Sequence, residues 1–320
     1  MDNLTKSSLN FLTNSTMDRM AEIRYKEQDL LQMIGSGNVR FILVKNGENL
    51  LKNEDGANPV TITKEKISNL EITTENCFLL GTKDELIYFA IDLDLCDNEY
   101  LPEKSYDFIH LRKSQLNEKN WTGSLLAYCN ALVSWHKNNQ FCGKCSSLTK
   151  SAELGQARYC TNPDCAAPHY PRTDPAIIVV VTKGDRCLMA RKAEWPEGMY
   201  SLVAGYVDHG ESLEDTVVRE VMEETSIRIK SVHYHSSQPW PFPYTLMVGF
   251  FAEAENEIIQ VDHHELENAR WFTRQQIIDG LKEGSFKLPT NFSISRKLIT
   301  DWFNQGNAGN LDDYDTNIIS

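Results

Sequence analysis

The stretch GYVDHGESLEDTVVREVMEETSI, Gly205 to Ile227, concentrates side chains that could do chemistry. It carries Glu211, Glu220, Glu223 and Glu224 together with Arg219. On a helix, Glu220 shares a face with Glu223 and Glu224, three and four residues further on. Like charges at that spacing destabilise an isolated helix by roughly 0.2–0.5 kcal/mol per pair. One account is a solvated acidic face. Against it, Val217, Val218, Val221 and Met222 form an apolar stripe expected to pack the helix onto a sheet and hold the carboxylates at the sheet's edge. Clustered hard oxygen donors suit Mg²⁺ or Mn²⁺, and such a cation would remove the repulsion.

A second constellation is CGKC, fourteen residues, then CTNPDC. Cys142, Cys145, Cys160 and Cys165 can offer four thiolates to one Zn²⁺ per chain, and with all four positions filled no place remains for a catalytic water. Such a site is structural. Between Cys142 and Cys165, Lys144, Lys150 and Arg158 stand against Glu153 and Asp164, a weak cationic balance for tracking phosphates. Phe141 and Tyr159 could stack on bases but read as packing residues.

The carboxylate stretch, written G-x5-E-x7-R-E-V-x-E-E-x-S-I, resembles the Nudix box, G-x5-E-x7-R-E-U-x-E-E-x-G-U with U aliphatic. Every charged position is filled. The departure is Ser226 in place of glycine, where a left-handed helix cap is expected and serine costs about 1 kcal/mol. SQPWPFPYTLM, Ser237 to Met247, reads by itself equally well as a rigid loop on the core or as a base-binding segment, with Gln238 suited to a base edge and a fixed aromatic to stacking. It resembles the S-Q-P-W-P-F-P-x-S-L-M signature of the NADH pyrophosphatase branch, Thr245 keeping the hydroxyl of the serine.

The resemblance implies an α/β fold: a Nudix α/β/α sandwich with a mixed sheet, preceded by a four-cysteine zinc ribbon and an α/β N-terminal domain. It implies Mg²⁺ or Mn²⁺ held by Glu220, Glu223, Glu224, the carbonyl of Ala204 and the distal Glu265 of HHELENARWF. Glu223 or Glu224 would be the base and Arg219 the positioner, pairing Glu223 one turn on and Glu211 across the loop. As a bare surface ion pair Arg219 would contribute under about 1 kcal/mol. Substrate contacts would come from Gln238, Pro239, Trp240, Pro241, Phe242, Pro243, Tyr244 and Thr245, from Tyr170 in HYPRTDP, from Ser295 in ISRKLI and from Arg112 in IHLRK. The implied reaction splits NADH or NAD⁺ into NMNH or NMN and AMP, with removal of NAD caps from RNA 5′ ends as a secondary activity. Rival readings are a Nudix hydrolase for ADP-ribose or dinucleoside polyphosphates, and a catalytically dead nucleotide-sensing or RNA-binding module. A homodimer is implied as well.

These groups need a scaffold. With the resemblance, the chain is expected to divide into an N-terminal α/β domain over 1–137, a ribbon over 138–171, a Nudix domain over 172–305 and a polar, acidic, loosely ordered tail over 306–320. NVRFILVKNG and CFLLGTKDELIYFAIDLD read as strands with tight turns, and SLLAYCNALVSWHKNN, apolar at 125, 126, 129, 132, 133 and 135, as an amphipathic helix. In the carboxylate domain AIIVVVTK, CLMARK, IKSVHYHSS and LMVGFFAEA read as strands, with helices near 213–225 and around SISRKLITDWFNQ. The remaining cysteines, Cys77, Cys96, Cys129 and Cys187, read as small buried apolar residues.

Composition sets the outer limits. A chain of 320 residues with 41% hydrophobic and 24% charged content matches a multidomain globular protein. A net charge of −13 argues against broad binding to nucleic acid or an anionic membrane. The longest apolar run, AIIVVV, cannot span a bilayer, and neither terminus carries a readable address, so a cytoplasmic location is expected.

Overall fold

The computed structural model describes residues 1–24, 30–35, 38–52, 59–114 and 121–315. It divides into two compact units, one of Met1–Phe11, Asp174–Gln238 and the chain from Thr245 onward, the other of Leu12–Thr173 with Pro239–Tyr244. Helix α1 (Asn3–Ser8) opens the first unit, capped by the Asp2 carboxylate, which accepts from the Thr5 N–H at 2.7 Å.

In the second unit α2 (Leu30–Gly35) precedes β1 (Val39–Lys45), β2 (Glu48–Lys52), β3 (Cys77–Lys83), β4 (Leu86–Asp92) and β5 (Tyr106–Ile109), ordered β3-β4-β1-β2-β5. β1 runs parallel to β4 and the other pairs are antiparallel. Asn46-Gly47 turns β1 into β2 with positive φ at both residues, 52° and 76°, the geometry Asn-Gly favours in hairpins. Helix α3 (Trp121–Asn138) contacts β1 to β4 and buries Leu125, Leu126, Cys129, Leu132, Val133 and Trp135, the stripe read from its periodicity. Cys77 and Cys187 are buried too, while Cys96 is half-buried.

The ribbon strands β6 (Thr149–Ala152), β7 (Ala157–Cys160) and β8 (Pro168–His169) form an antiparallel sheet inside this same unit, not a free-standing module. Buried polar contacts join it to the N-terminal sheet. His136 of α3 stacks on Phe78 at 3.8 Å, donates from Nε2 to the Gly155 carbonyl at 2.9 Å, and accepts at Nδ1 from Arg158 at 3.0 Å. Burial pushes the His136 pKa down to about 3, so the ring is neutral. Gly155 lies so close to Phe78 that a Cβ there would meet the Phe78 side chain at 2.7 Å.

The first unit is the expected sandwich. Its strands are β9 (Asp174–Lys183), β10 (Arg186–Arg191), β11 (Val203–Tyr206), β12 (Ile229–Trp240), β13 (Thr245–Ala254) and β14 (Asn268–Phe272), ordered β12-β13-β9-β10-β14 with β11 on β9. β13 is parallel to β9, while β10 and β11 pair with it antiparallel, so the sheet is mixed. β9 is buried on both faces. Ile177, Val179 and Val181 pack in the core that holds Val217 and Val221 of α4 (Leu213–Thr225). Ile178 and Val180 face Ile277 and Leu281 of α5 (Arg274–Glu283) and Leu298 and Ile299 of α6 (Ile294–Asn304).

Two expectations change here. Val218 and Met222 are exposed, because they sit about 100° around α4 from Val217 and Val221. The buried stripe instead continues through Thr216, Glu220, Glu224 and Thr225. The tail is not loose as far as residue 315: Leu311 is fully buried, and Arg296 pairs with Asp312 at 2.8 Å and with Asp315. Residues 316–320 lie outside the described residues. Among the described residues no helix is long and apolar enough to cross a membrane.

Helix α4 starts with a reciprocal Ser212/Asp215 capping box and ends at Ser226, left-handed at φ 58°, whose N–H donates to the Met222 carbonyl at 2.8 Å. This is the cap geometry that glycine adopts without a Cβ penalty. Ser226→Gly should therefore raise unfolding stability by about 1 kcal/mol in urea denaturation; an unchanged or lower midpoint would show that the cap carries no strain.

Candidate active site

Helix α4 sets two carboxylates into its own packing face, Glu220 at 9% and Glu224 at 3% relative exposure. They are one turn apart, so burial and mutual repulsion act together. Burial, then the charges of Glu220 and Glu265, push the Glu224 pKa up to about 8. Glu220 is raised as well, burial again being the largest cause and Arg219 opposing it. Glu223, one residue round the helix, is exposed.

Arg219 is the hub. It donates to Glu211 from Nε at 2.5 Å and from an Nη at 2.9 Å, to Glu220 at 2.8 Å, to Glu223 at 3.0 Å and to the Tyr206 carbonyl at 2.9 Å. Glu211 also accepts from the Asp208 N–H at 3.0 Å and from the Thr216 hydroxyl at 2.9 Å. The Arg219 hydrogen bond is the main reason its pKa falls to about 2. Both pairings expected of Arg219 are formed, and the contact to Glu220 adds a third carboxylate. Tyr206, whose carbonyl completes the fork, carries no signal in the sequence beyond its place beside Gly205.

Strand β11 brings the backbone against this cluster, with Ala204 opposite Ile178 and Gly205 opposite Ile177. A Cβ on Gly205 would lie 2.0 Å from the Glu220 carboxyl carbon. The box glycine thus serves close approach and not a turn, since only a hydrogen fits between β11 and Glu220. The loop bearing Glu265 is tied to the C-terminal end of α4. The Gln260 N–H donates to the Thr225 carbonyl and the Asp262 N–H to the Glu224 carbonyl, both at 3.0 Å. Glu265 itself is exposed, and its charge is felt by both buried glutamates. Lys192 and Asp262, which sequence reasoning did not single out, also act on Glu224, the lysine lowering its pKa and the aspartate raising it.

A donor set of carboxylate oxygens, two of them buried and short of countercharge, fits a hard divalent cation. Among the described residues the one group of three or more candidate ligands whose donor atoms all lie within 4.8 Å is Cys142, Cys145, Cys160 and Cys165; the carboxylates are spread more widely. The Cys142–Cys165 and Cys145–Cys160 sulfurs stand 3.8 and 3.4 Å apart. Thiolates about 2.3 Å from a central Zn²⁺ would stand about 3.8 Å apart, so the cluster is close to a tetrahedral zinc cage. His169 places Nε2 3.3 Å from the Cys142 sulfur.

The aromatic segment is used differently from the base-reading role expected of it. Gln238 is fully buried, donates to the carbonyls of Phe11 at 3.1 Å and Phe292 at 2.8 Å, and accepts from the Ile294 N–H at 2.8 Å. Both amide hydrogens are consumed inside the unit, so no donor is left for a base edge. Ser295 is likewise buried, its hydroxyl 2.7 Å from that of Ser201, and does not present itself to a ligand. Thr245 is buried with its hydroxyl 3.2 Å from the Tyr206 hydroxyl. Pro239, Trp240, Phe242 and Tyr244 are half-buried, Pro241 buried and Pro243 exposed. Arg112 does come to this segment, its guanidinium 4.4 Å from the Phe242 ring centre and 5.1 Å from that of Trp240, while His110 stacks on Phe242 at 5.1 Å. Tyr170 is 57% exposed.

Residues 172–292 match the NUDIX domain family. The chain is 40% identical over 199 residues, 59% of its length and 43% of the relative's, to NAD-capped RNA hydrolase NUDT12 of Macaca fascicularis. It is 36% identical over 264 residues, 74% of each chain, to the human mitochondrial NAD(P)H pyrophosphatase NUDT13. It is 43% identical over 175 residues, 55% of its length and 59% of the relative's, to NAD-capped RNA hydrolase NudC of Pseudomonas syringae pv. syringae. The chain spans less than half the length of the NUDT12 relative it matches. On the NUDIX domain match, and on 36% identity across 74% of the NUDT13 relative, the chain belongs to the NUDIX family, in the branch whose SQPWPFP signature it carries.

Proposed function

We propose that the protein hydrolyses the pyrophosphate bond of NADH, and of NAD⁺, to NMNH or NMN and AMP, and removes NAD caps from RNA 5′ ends by the same reaction. The observation that carries this reading is the pair of buried, charge-starved carboxylates, Glu220 and Glu224, set against the bare backbone of Gly205. The printed names of the relatives, NAD-capped RNA hydrolases and an NAD(P)H pyrophosphatase, support the choice of dinucleotide over ADP-ribose or a dinucleoside polyphosphate.

Glu220, Glu224 and Glu265, with the carbonyl of Ala204, would hold Mg²⁺ or Mn²⁺. Bound there, the ion would screen the two phosphates and lower the pKa of the attacking water. Arg219 fixes the rotamers of Glu220 and Glu223 and, staying protonated throughout, passes no proton to the reacting groups. A carboxylate oxygen of Glu223 or Glu224 takes the proton of the attacking water. The branch resemblance supports substrate contacts from Trp240, Phe242, Arg112 and Tyr170, and within their own unit Arg112 and His110 lie against the Phe242 ring. The four cysteines hold one structural Zn²⁺, and the branch resemblance supports a homodimer.

Incubation of NADH with the protein and Mg²⁺ or Mn²⁺ should yield NMNH and AMP, and EDTA should abolish both; ADP-ribose turning over faster than NADH would overturn the substrate assignment. Glu220→Gln and Glu224→Gln should each cost more than the roughly 10- to 100-fold typical of losing an outer-shell partner of a metal. Wild-type rates in both would remove the carboxylates from the mechanism. Gly205→Ala should displace the Glu220 carboxylate and lower kcat about 100-fold while circular dichroism stays native. A rate within twofold of wild type would show that the close approach is incidental.

A further inference from the structure

The two faces of the ribbon differ. Its outer face shows Phe141 and Tyr159, which read from the sequence as packing residues and are instead exposed. Its inner face holds Arg158 and Cys160, two residues apart on β7 and both buried. His169 of β8 is the cross-strand partner of Arg158, and partners of this kind project from the same face of a sheet, so the imidazole is turned inward. There its Nε2 stands 3.3 Å from the sulfur of Cys142, the most deeply buried of the four cysteines at 1% relative exposure.

Distance separates a ligand from an outer partner. Among the described residues the group whose donor atoms all lie within 4.8 Å of one another holds the four cysteines and not His169, so Nε2 is too far from at least one sulfur to share their ion. Charge says what the ring does instead. Four thiolates around one Zn²⁺ leave a net charge of about −2, and burying it is costly unless N–H groups point at the sulfurs. Cys142 has two such groups, the His169 ring at 3.3 Å and the Lys144 backbone N–H at 3.4 Å. A zinc-bound thiolate only accepts, so Nε2 carries the proton and His169 donates. The contact also serves β8, which is two residues long and otherwise tied to the cage by its pairing with β7 and by the Cys160 N–H, which donates to the Ala167 carbonyl at 3.0 Å.

We propose that His169 is the outer donor of the zinc cage: its Nε2–H hydrogen-bonds the Cys142 thiolate, spreads the charge of the most buried sulfur, and so retains zinc in the cage and β8 on the ribbon sheet. His169 is a positioning residue, acting through Cys142 and ligating nothing itself. The role rests on the reading of the four cysteines as a zinc cage and is independent of the hydrolase unit. A partner one shell out from a metal is worth roughly 10- to 100-fold in metal affinity, so the fifth residue matters even though the four ligands are complete without it.

The test uses the full chain as wild type, as His169→Gln, whose amide keeps an N–H, and as His169→Phe, which keeps a ring and has no donor. Each is titrated with a chromophoric chelator, and each is also loaded with Co²⁺ in place of zinc. His169→Phe should surrender zinc about 10- to 100-fold more readily than wild type, while His169→Gln stays within about threefold. The cobalt form of His169→Phe should keep the d–d bands of a tetrahedral four-thiolate site, while its sulfur-to-cobalt band moves to longer wavelength because a thiolate has lost a hydrogen bond. Should His169→Phe not fold, wild type carries the test by itself. With a spin-active cadmium isotope in the cage, a histidine ring N–H proton should couple to the metal through sulfur and vanish in His169→Gln; the absence of that coupling would overturn the donor. Equal zinc retention in all three proteins, or equal loss in both variants, would also overturn it while leaving the cage intact. A wild type that takes up neither zinc nor cobalt would remove the cage and the donor together.

Discussion

Two carboxyl groups one helical turn apart, turned into a hydrophobic core, repel each other in a medium that cannot screen them. Glu220 and Glu224 are in that position in a chain that already carries a net charge of −13. A sequence selected for stability alone would place apolar residues there, since burying unpaired charge costs several kcal/mol per ion. The surrounding structure manages this tension without removing it. Arg219 reaches Glu220 but also serves Glu211, Glu223 and a backbone carbonyl, so its one positive charge is divided. Glu224 receives only the more remote influence of Lys192. The result is a pair of carboxyl groups suited to a cation, in which Glu224, its pKa pushed up to about 8, holds its proton near neutrality when no cation is there.

The elements around α4 follow from the need to hold that deficit still. β9 lies near the middle of the sheet, buried on both faces, and β11 is hydrogen-bonded to it, so the Ala204–Gly205 backbone cannot retreat from the Glu220 carboxylate. The loop carrying Glu265 is long and exposed, yet its backbone bonds to the carbonyls of Glu224 and Thr225 couple it to the last turn of α4. The rigid elements carry the buried carboxylates and the loop carries the exposed one, the division that gives a site both accuracy and access.

Much of this is legible in the sequence. The box could be read because Glu220 and Glu224 stand one turn apart on one face of a helix and Arg219 reaches Glu223 at i+4. The tight turn closing NVRFILVKNG and the apolar stripe of α3 are local signals that the fold obeyed. Val218 and Met222 misled because valine and methionine look alike on the buried and exposed sides of a short helix. The true stripe was completed by glutamates, which pattern reading assigns to solvent. The docking of residues 306–315 was hidden because it depends on the buried Arg296, whose partners Asp312 and Asp315 lie 16 and 19 positions further on. The ribbon's attachment to the N-terminal sheet was equally invisible, since it runs through buried polar groups, His136 and Arg158, that no hydrophobic pattern marks.

Gln238 shows why a motif residue need not be a ligand contact. Its site presents two backbone carbonyls, of Phe11 and Phe292, and one N–H at the start of α6, from Ile294. Only a side chain with two donors and an acceptor answers all three. A carboxylate would set its charge against two carbonyl oxygens, and an aliphatic residue would strand three buried polar groups at about 1–3 kcal/mol each. Gln238 is also the residue immediately before Pro239, where the aromatic segment begins. It anchors that root to the chain after α1 and to the first turn of α6. The signature glutamine thus acts through the backbone it holds, with both of its amide hydrogens spent there.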